Sequence, residues 1–290
     1  MSIPDLRADT LAGVKGKVAL VTGGGSGLGT MMAAALVQNG AKVYIASRKE
    51  KQLKEVSAAL NKAGPGSCEY LIADLSTKAG CDALGAEIKK REKKLHILVN
   101  NSGATWGAPY EDFPEVNGWD KIMALNVKSL FYLTVSLTDL LAKDASNLDP
   151  GRVINIASVT SFSPHSDGDT GMALTPPGMG TWSYNASKAA AAHLTKQLAV
   201  TLAKKYITVN AICPGTFPSK MTAFSYSALG NLDKVHPMGR AGTTEDMAGA
   251  VLYLSGRGGA HVTGNAIIVD GGHMLYGAPM SLGPETKSKL

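Results

Sequence analysis

The chain is short of cysteine, of aromatic residues, of long apolar runs and of charge gathered in one place. Its three cysteines, Cys68, Cys81 and Cys213, are odd in number and lack metal-ligand spacing. That excludes a disulfide framework and points to free thiols in a reducing compartment. The six histidines show no ligand spacing either, so no metal is expected. No run approaches the roughly 18 apolar residues of a membrane span, and no membrane partner is expected. Met1-Ser2-Ile3-Pro4-Asp5-Leu6-Arg7 lacks the basic and apolar regions of a secretory signal. The net charge of +6 is spread out, and the one dense basic run, Lys89-Lys90-Arg91-Glu92-Lys93-Lys94, reads as the solvated end of a helix. No nucleic-acid partner is expected from so scattered a charge. A mildly basic surface suits an anionic small molecule, such as a phosphorylated cofactor or a CoA ester.

What is present is an ordinary globular balance, with 44% hydrophobic and 18% charged residues in 290. Strand-length apolar runs alternate with helix-length amphipathic runs, the pattern of a parallel sheet covered on both faces. The strands are expected at 17–22, 42–46, 68–72, 95–99, 152–157, 207–212 and 266–269. Helices are expected at 27–39, 49–62, 77–93, 118–142 and 244–255, with one more opening at Tyr184. The whole reads as one α/β domain of Rossmann type, 1–290, a seven-stranded parallel sheet with helices on both faces. Its core covers about 15–275, and 1–14 and 277–290 read as poorly ordered ends.

Five motifs carry chemistry. Val21-Thr22-Gly23-Gly24-Gly25-Ser26-Gly27-Leu28-Gly29 follows the first strand and opens a helix. Such glycines allow a tight turn and let backbone approach a pyrophosphate at the helix N-terminus. The second strand ends in Ser47-Arg48, where a carboxylate would bind a ribose 2′-OH. A hydroxyl and a guanidinium suit a 2′-phosphate instead, so NADP(H) is favoured over NAD(H). Asp74-Leu75 follows the third strand, where a carboxylate can bond an adenine amino group; Asn100-Asn101-Ser102-Gly103 follows the fourth, its small residues passing close to a ligand. Both also read as turn signals. Finally, Tyr184-Asn185-Ala186-Ser187-Lys188 heads an alanine-rich helix. Residues four apart share a face, so the Lys188 ammonium can lower the Tyr184 pKa and make the phenol a usable acid or base.

These residues together resemble the short-chain dehydrogenase/reductase family over about 15–275. The likeness rests on Thr22-Gly23, Gly27, Gly29, Asp74, Asn100-Asn101-Ser102-Gly103, Asn126, Ser158, Tyr184, Lys188, Pro214-Gly215 and Val269-Asp270-Gly271-Gly272. The resemblance implies that Tyr184 donates a proton to a carbonyl oxygen, or removes one from an alcohol, while Ser158 bonds the same oxygen. It implies that Lys188 also binds the nicotinamide ribose, that Asn126 holds a water in a proton relay, and that hydride passes directly from the nicotinamide. Gly23, Ser26, Gly27, Leu28, Gly29, Ser47, Arg48, Asp74, Leu75, Asn101, Ser102, Gly103, Pro214, Gly215, Phe217 and Ser219 would then form the cofactor site. Phe217 and Ser219 resemble the pair that holds the carboxamide. Family members pair as homodimers or homotetramers, here through the helices at 118–142 and 184–204 and the last strand.

Three departures stand out. Ser102 replaces the family's usual alanine and Ser219 its usual threonine. Ser158 and Tyr184 are 26 apart, about twice the usual gap. The extra stretch, 163–178, reads equally as a lining of the substrate site and as a surface insertion. His165 is at most a lining residue. Met221, Phe224, Tyr226, Leu229 and Met238, with Trp106 and Trp182, suggest a largely apolar substrate pocket or simply a packed lid.

The stretch 214–222, with Pro237-Met238-Gly239-Arg240, resembles the reductases named for rhamnolipid synthesis, which are 3-oxoacyl-thioester reductases. Ser288-Lys289-Leu290 reads as an address for the peroxisomal import receptor, with a cytoplasmic protein as the alternative. The expectation is an NADP(H)-dependent enzyme acting on a small carbonyl/alcohol pair. A secondary-metabolite ketoreductase, a sugar or polyol dehydrogenase and a non-catalytic cofactor-binding protein are the alternatives.

Overall fold

The structure, a computed structural model, describes residues 3–167, 175–219 and 236–275. The sheet consists of β1 (Val18–Thr22), β2 (Lys42–Ser47), β3 (Ser67–Ile72), β4 (Ile97–Asn100), β5 (Gly151–Ile156), β6 (Ile207–Pro214) and β7 (Ala266–Val269). All seven run parallel in the order β3-β2-β1-β4-β5-β6-β7. Successive strand residues face opposite layers. Ala19 and Val21 therefore join one core cluster and Leu20 the other. Because both layers are covered, the strands are apolar throughout rather than alternating.

One layer holds α2 (Gly27–Gln38), α3 (Glu50–Ala63) and α8 (Thr244–Ser255), which bring Met32, Leu36, Leu53, Leu60, Met247 and Val251 onto the sheet. The other holds α4 (Lys78–Arg91), α6 (Ser129–Ala142) and α7 (Trp182–Ala203), with Leu84, Ile88, Leu133, Leu137, Leu198 and Leu202. The helix ends follow local chemistry. Thr77 caps α4 by accepting from Gly80 N at 3.1 Å, and Lys89, Lys90 and Arg91 complement the dipole of its last turn. The basic run is thus a helix end, and Arg91 also pairs with Glu87 and Glu69. Thr243 and Asp246 form a capping box on α8.

Two expectations need correction. The helix expected at 118–142 is not one regular helix. A π-helical turn at Glu115–Asp120, the short α5 (Lys121–Met123) and a second π-turn at Ala124–Lys128 precede α6. The second π-turn carries Asn126, and such turns reflect local demands that periodicity does not register. The stretch 1–14 is also not a loose end throughout. α1 (Ala8–Leu11) packs on the turn at Arg257–Gly259, and Val14 is fully buried. Its apolar positions follow no helix or strand period long enough to signal this.

Residues 168–174 of the insertion, Met221, Phe224, Tyr226, Leu229, the tail from 276 and Ser288-Lys289-Leu290 lie outside the described residues. Among the described residues no helix is long and apolar enough to cross a membrane, and all three cysteines are buried and free.

Candidate active site

The strand order reverses between β1 and β4, and open α/β sheets bind ligands at that point, beyond the carboxyl ends of the strands. Here Thr22 and Asn101 fasten the two strands together. The Thr22 hydroxyl accepts from Asn101 N at 2.9 Å and Ser102 N at 3.0 Å, and the Asn101 amide donates to Thr22 O at 2.9 Å. Gly23 turns beside them with φ +65°, and a Cβ there would sit 2.7 Å from the Asn101 amide. Only glycine fits such a place. A Cβ on Gly29 would collide with the Gly23 carbonyl, so Gly29 lets α2 approach the turn.

Two adjoining cavities open here, of about 360 and 210 Å³. Gly23, Ser26, Gly27, Leu28, Asn101, Gly103, Ser158, Tyr184, Lys188, Pro214, Gly215, Phe217 and Ser219 line the larger. Ser47, Arg48, Asp74, Leu75 and Ser102 line the smaller. Every expected site residue therefore reaches the cleft except Gly29, which acts in packing, and Asn126, which lies behind it. Reading the sequence missed Lys49 and Gln52, which border both cavities. As ordinary polar residues at the start of α3 they gave no signal of their own. Gly25, Leu125, Ile156 and Ala157 were missed as well, and as small or apolar residues they gave none.

The glycine turn, the N-terminus of α2 and the two cavities in line fit a dinucleotide. The cradle is one a side chain would fill, and the free N–H groups of a helix N-terminus suit a pyrophosphate. At the smaller cavity Arg48 approaches Asp74 at 4.0 Å, with both side chains more than half exposed. Asp74 accepts from Ser76 N at 2.9 Å, and this bond, more than Arg48, holds its carboxyl below the usual range.

At the catalytic end Ser158 is buried, and it lines the same cavity as Tyr184 and Lys188. It also accepts from Thr160 N at 3.2 Å. The Lys188 ammonium lies 5.6 Å from the centre of the Tyr184 ring and donates to Ile156 O at 2.8 Å. Burial pushes the lysine down to about 8 and raises the Tyr184 phenol above its ordinary value, with the nearby Ser158 hydroxyl opposing. The expected lowering of Tyr184 by Lys188 is thus not met in the cleft as it stands, because desolvation disfavours both charged forms.

Asn126 is 1% exposed. Its Oδ1 accepts from Ala104 N, and its Nδ2 donates to Ala104 O and to the Ser187 hydroxyl, all at 2.9 Å. Both amide hydrogens are committed, so a water held here can only donate to one of the Asn126 oxygens.

The foot of the insertion is anchored. Gly180 bridges both Ala108 and Asp167, Thr181 N donates to Ser166 O at 2.8 Å, and Asn185 Nδ2 donates to His165 O at 2.8 Å. Trp182 packs edge-on to Tyr110 and Phe113, centroids 5.4 and 5.5 Å apart. His165, Trp106 and Trp182 line neither of these two cavities, and Trp182 packs on Tyr110 and Phe113 instead. Met238 is 68% exposed.

The short chain dehydrogenase family model matches residues 17–229. The chain is 41% identical over 263 residues to the rhamnolipids biosynthesis 3-oxoacyl-[acyl-carrier-protein] reductase of Pseudomonas aeruginosa, covering 90% of this chain and 97% of that one. It is 34% identical to the short-chain dehydrogenase/reductase PhomF of Diaporthe leptostromiformis, covering 93% and 96%. The solved Pseudomonas aeruginosa RhlG/NADP active-site complex superposes with a TM-score of 0.82 at 39% identity, over 91% of this chain and 99% of that one.

Proposed function

The chain belongs to the short-chain dehydrogenase family, and from that premise we propose that this oxidoreductase uses NADPH to reduce the ketone of a 3-oxoacyl thioester to a secondary alcohol. The observation that carries the reading is the gathering of Ser158, Tyr184 and Lys188 at one end of a cleft whose other end holds Ser47 and Arg48. NADP fits that far end, where a guanidinium and a hydroxyl border the smaller cavity, and a similar protein is known as an NADP complex.

When bound, NADPH supplies the hydride that goes to the carbonyl carbon. Tyr184 gives its proton to the carbonyl oxygen, and Ser158 donates a hydrogen bond to the same atom. Lys188, charged below about pH 8, steadies the phenolate left behind. A proton then returns to Tyr184 past Lys188, from a water on an Asn126 oxygen. The protein's share is position and a dry, polar surrounding for the developing charge. The thioester part of the reading rests on the relative that is named a 3-oxoacyl-[acyl-carrier-protein] reductase.

The test is NADPH consumption by the purified protein with 3-oxoacyl-CoA esters of rising chain length, beside free cyclic ketones and sugar-derived ketones. Turnover confined to free ketones would sink the thioester reading and favour a specialised-metabolite or polyol enzyme. No turnover with any carbonyl would favour a cofactor-binding protein.

We also read the exposed Phe131 and Val135 of α6, Val200 of α7 and Ile268 of β7 as faces covered in a homodimer or homotetramer; a monomer by light scattering would end that reading. Ser288-Lys289-Leu290 supports delivery to peroxisomes by the import receptor, and unchanged localisation after its deletion would refute it.

A further inference from the structure

Two serines outside the catalytic set grip the main chain of the two catalytic residues on α7. The Ser187 hydroxyl donates to Tyr184 O at 2.7 Å and accepts from Asn126 Nδ2 at 2.9 Å. The Ser161 hydroxyl donates to Lys188 O at 2.8 Å, from the turn Val159–Ser161 that Ser158 itself caps. One bond ties α7 to the segment that carries Asn126, and the other ties it to the segment that carries Ser158. We propose that Ser187 and Ser161 are positioning residues, which set the first turns of α7 in register with Asn126 and Ser158.

A hydroxyl has one proton to give and two lone pairs to share. With the Asn126 amide donating to it, the Ser187 proton is free only to point at the Tyr184 carbonyl. Ser187 is 0% and Asn126 1% exposed, so water cannot take over the lost bond. Removing the hydroxyl leaves an Asn126 N–H unpaired in the interior, and Asn126 is then held by its two bonds to Ala104 alone, with nothing tying it to α7. A serine bonding back along its own helix is by itself a common local feature. Thr201 makes such a bond to Gln197 O at 2.9 Å, exposed and far along the same helix. What sets Ser187 and Ser161 apart is that each reaches a second catalytic segment. Shifts of about 1 Å at a reacting centre can cost on the order of a hundredfold in rate.

The experiment compares Ser187→Ala, Ser161→Ala and Thr201→Ala with the wild type. The assay uses NADPH and whichever carbonyl the wild type turns over best, across pH 5–9. The expected result is a fall in kcat of about tenfold or more for Ser187→Ala and a smaller fall for Ser161→Ala. The Kd for NADPH should stay within about twofold, the pH profile of kcat should move, and Thr201→Ala should match the wild type. In an Asn126→Ala background most of the Ser187→Ala effect should vanish, because the shared bond is already gone. Hydrogen exchange should quicken at 122–128 and 184–189 in Ser187→Ala and stay unchanged there in Thr201→Ala. Should the wild type turn over no carbonyl, the proposed function fails while exchange still decides this proposal. A kcat within twofold of wild type for Ser187→Ala, equal losses in Thr201→Ala, or unchanged exchange at both segments would each overturn it. Ser161→Ala, in a turn and partly exposed, supplies the reading if Ser187→Ala does not fold.

Discussion

At the catalytic end of the cleft Asn126, Ser158 and Lys188 are 1%, 6% and 5% exposed; Asn126 and Lys188 are hydrogen-bonded to neighbouring segments and Ser158 to Thr160 N within its own turn. At the other end the Arg48 and Asp74 side chains are 60% and 53% exposed and approach only to 4.0 Å. The first arrangement is fixed before any ligand arrives, and in its low-dielectric setting each dipole counts fully. The second is wet and screened, so its charges select among ligands at modest cost and modest gain. Preorganisation is concentrated where bonds are made, and tolerance where the cofactor is chosen.

The sharpest way to break this comparison is Tyr184→Phe. We expect kcat to fall by about 10²–10⁴ while the Kd for NADPH, by fluorescence titration, stays within about twofold. A near-normal rate would remove the catalytic end from the chemistry altogether. At the wet end, Arg48→Ala should raise the KM for NADPH roughly tenfold, since a single exposed charge-assisted contact is worth about 1–2 kcal/mol. The KM for NADH should not move, and added salt should shrink the wild-type preference. Equal or better rates with NADH in the wild type would mean that Ser47 and Arg48 do not choose the cofactor.

A smaller effect belongs to the amino-terminal ends of the central strands β1 and β4, opposite the cleft. His96 Nδ1 accepts from Val18 N at 3.0 Å, and burial, with Lys94 and Lys17 adding, pushes the imidazole down to about 4. The neutral ring is the one that fits. Between about pH 6.5 and 4 the unfolded chain binds the extra proton and the folded chain does not, so stability falls as pH falls through that window. The expected loss by pH 4 is of the order of 2 kcal/mol, read as a lowered urea midpoint. His96→Gln should flatten that acid limb, and an unflattened limb would assign it to the carboxylates instead.

Much of the fold was legible because parallel strands covered on both faces leave near-continuous apolar runs, and glycines, prolines and caps punctuate them. The expected bounds of α8 and β7 match the structure. β6 continues to Pro214, beyond the expected end at 212, because its last residues still pair with β7 up to Val269. The site was legible where a residue type is demanded by backbone or by charge, as at Gly23, Arg48 and Tyr184. It was not legible at Lys49 and Gln52, ordinary helix-surface residues until α3 is laid beside the glycine turn. Nor could Ser187 and Ser161 be found, since a serine's meaning depends on which carbonyl it meets.

The order of types along the chain thus determined the alternation of strand and helix, the parallel sheet, the glycine turn and the identity of the residues that bear the reaction, all consequences of local spacing and side-chain chemistry. Only the tertiary structure decided that Asn126 sits behind the cleft on a π-turn, with its amide committed to Ala104 and Ser187. The same holds for burial raising Tyr184 while lowering Lys188, and for two hydroxyls holding the catalytic helix in register. Burial and hydrogen-bond partners join residues tens of positions apart, and no local pattern encodes the distance between them.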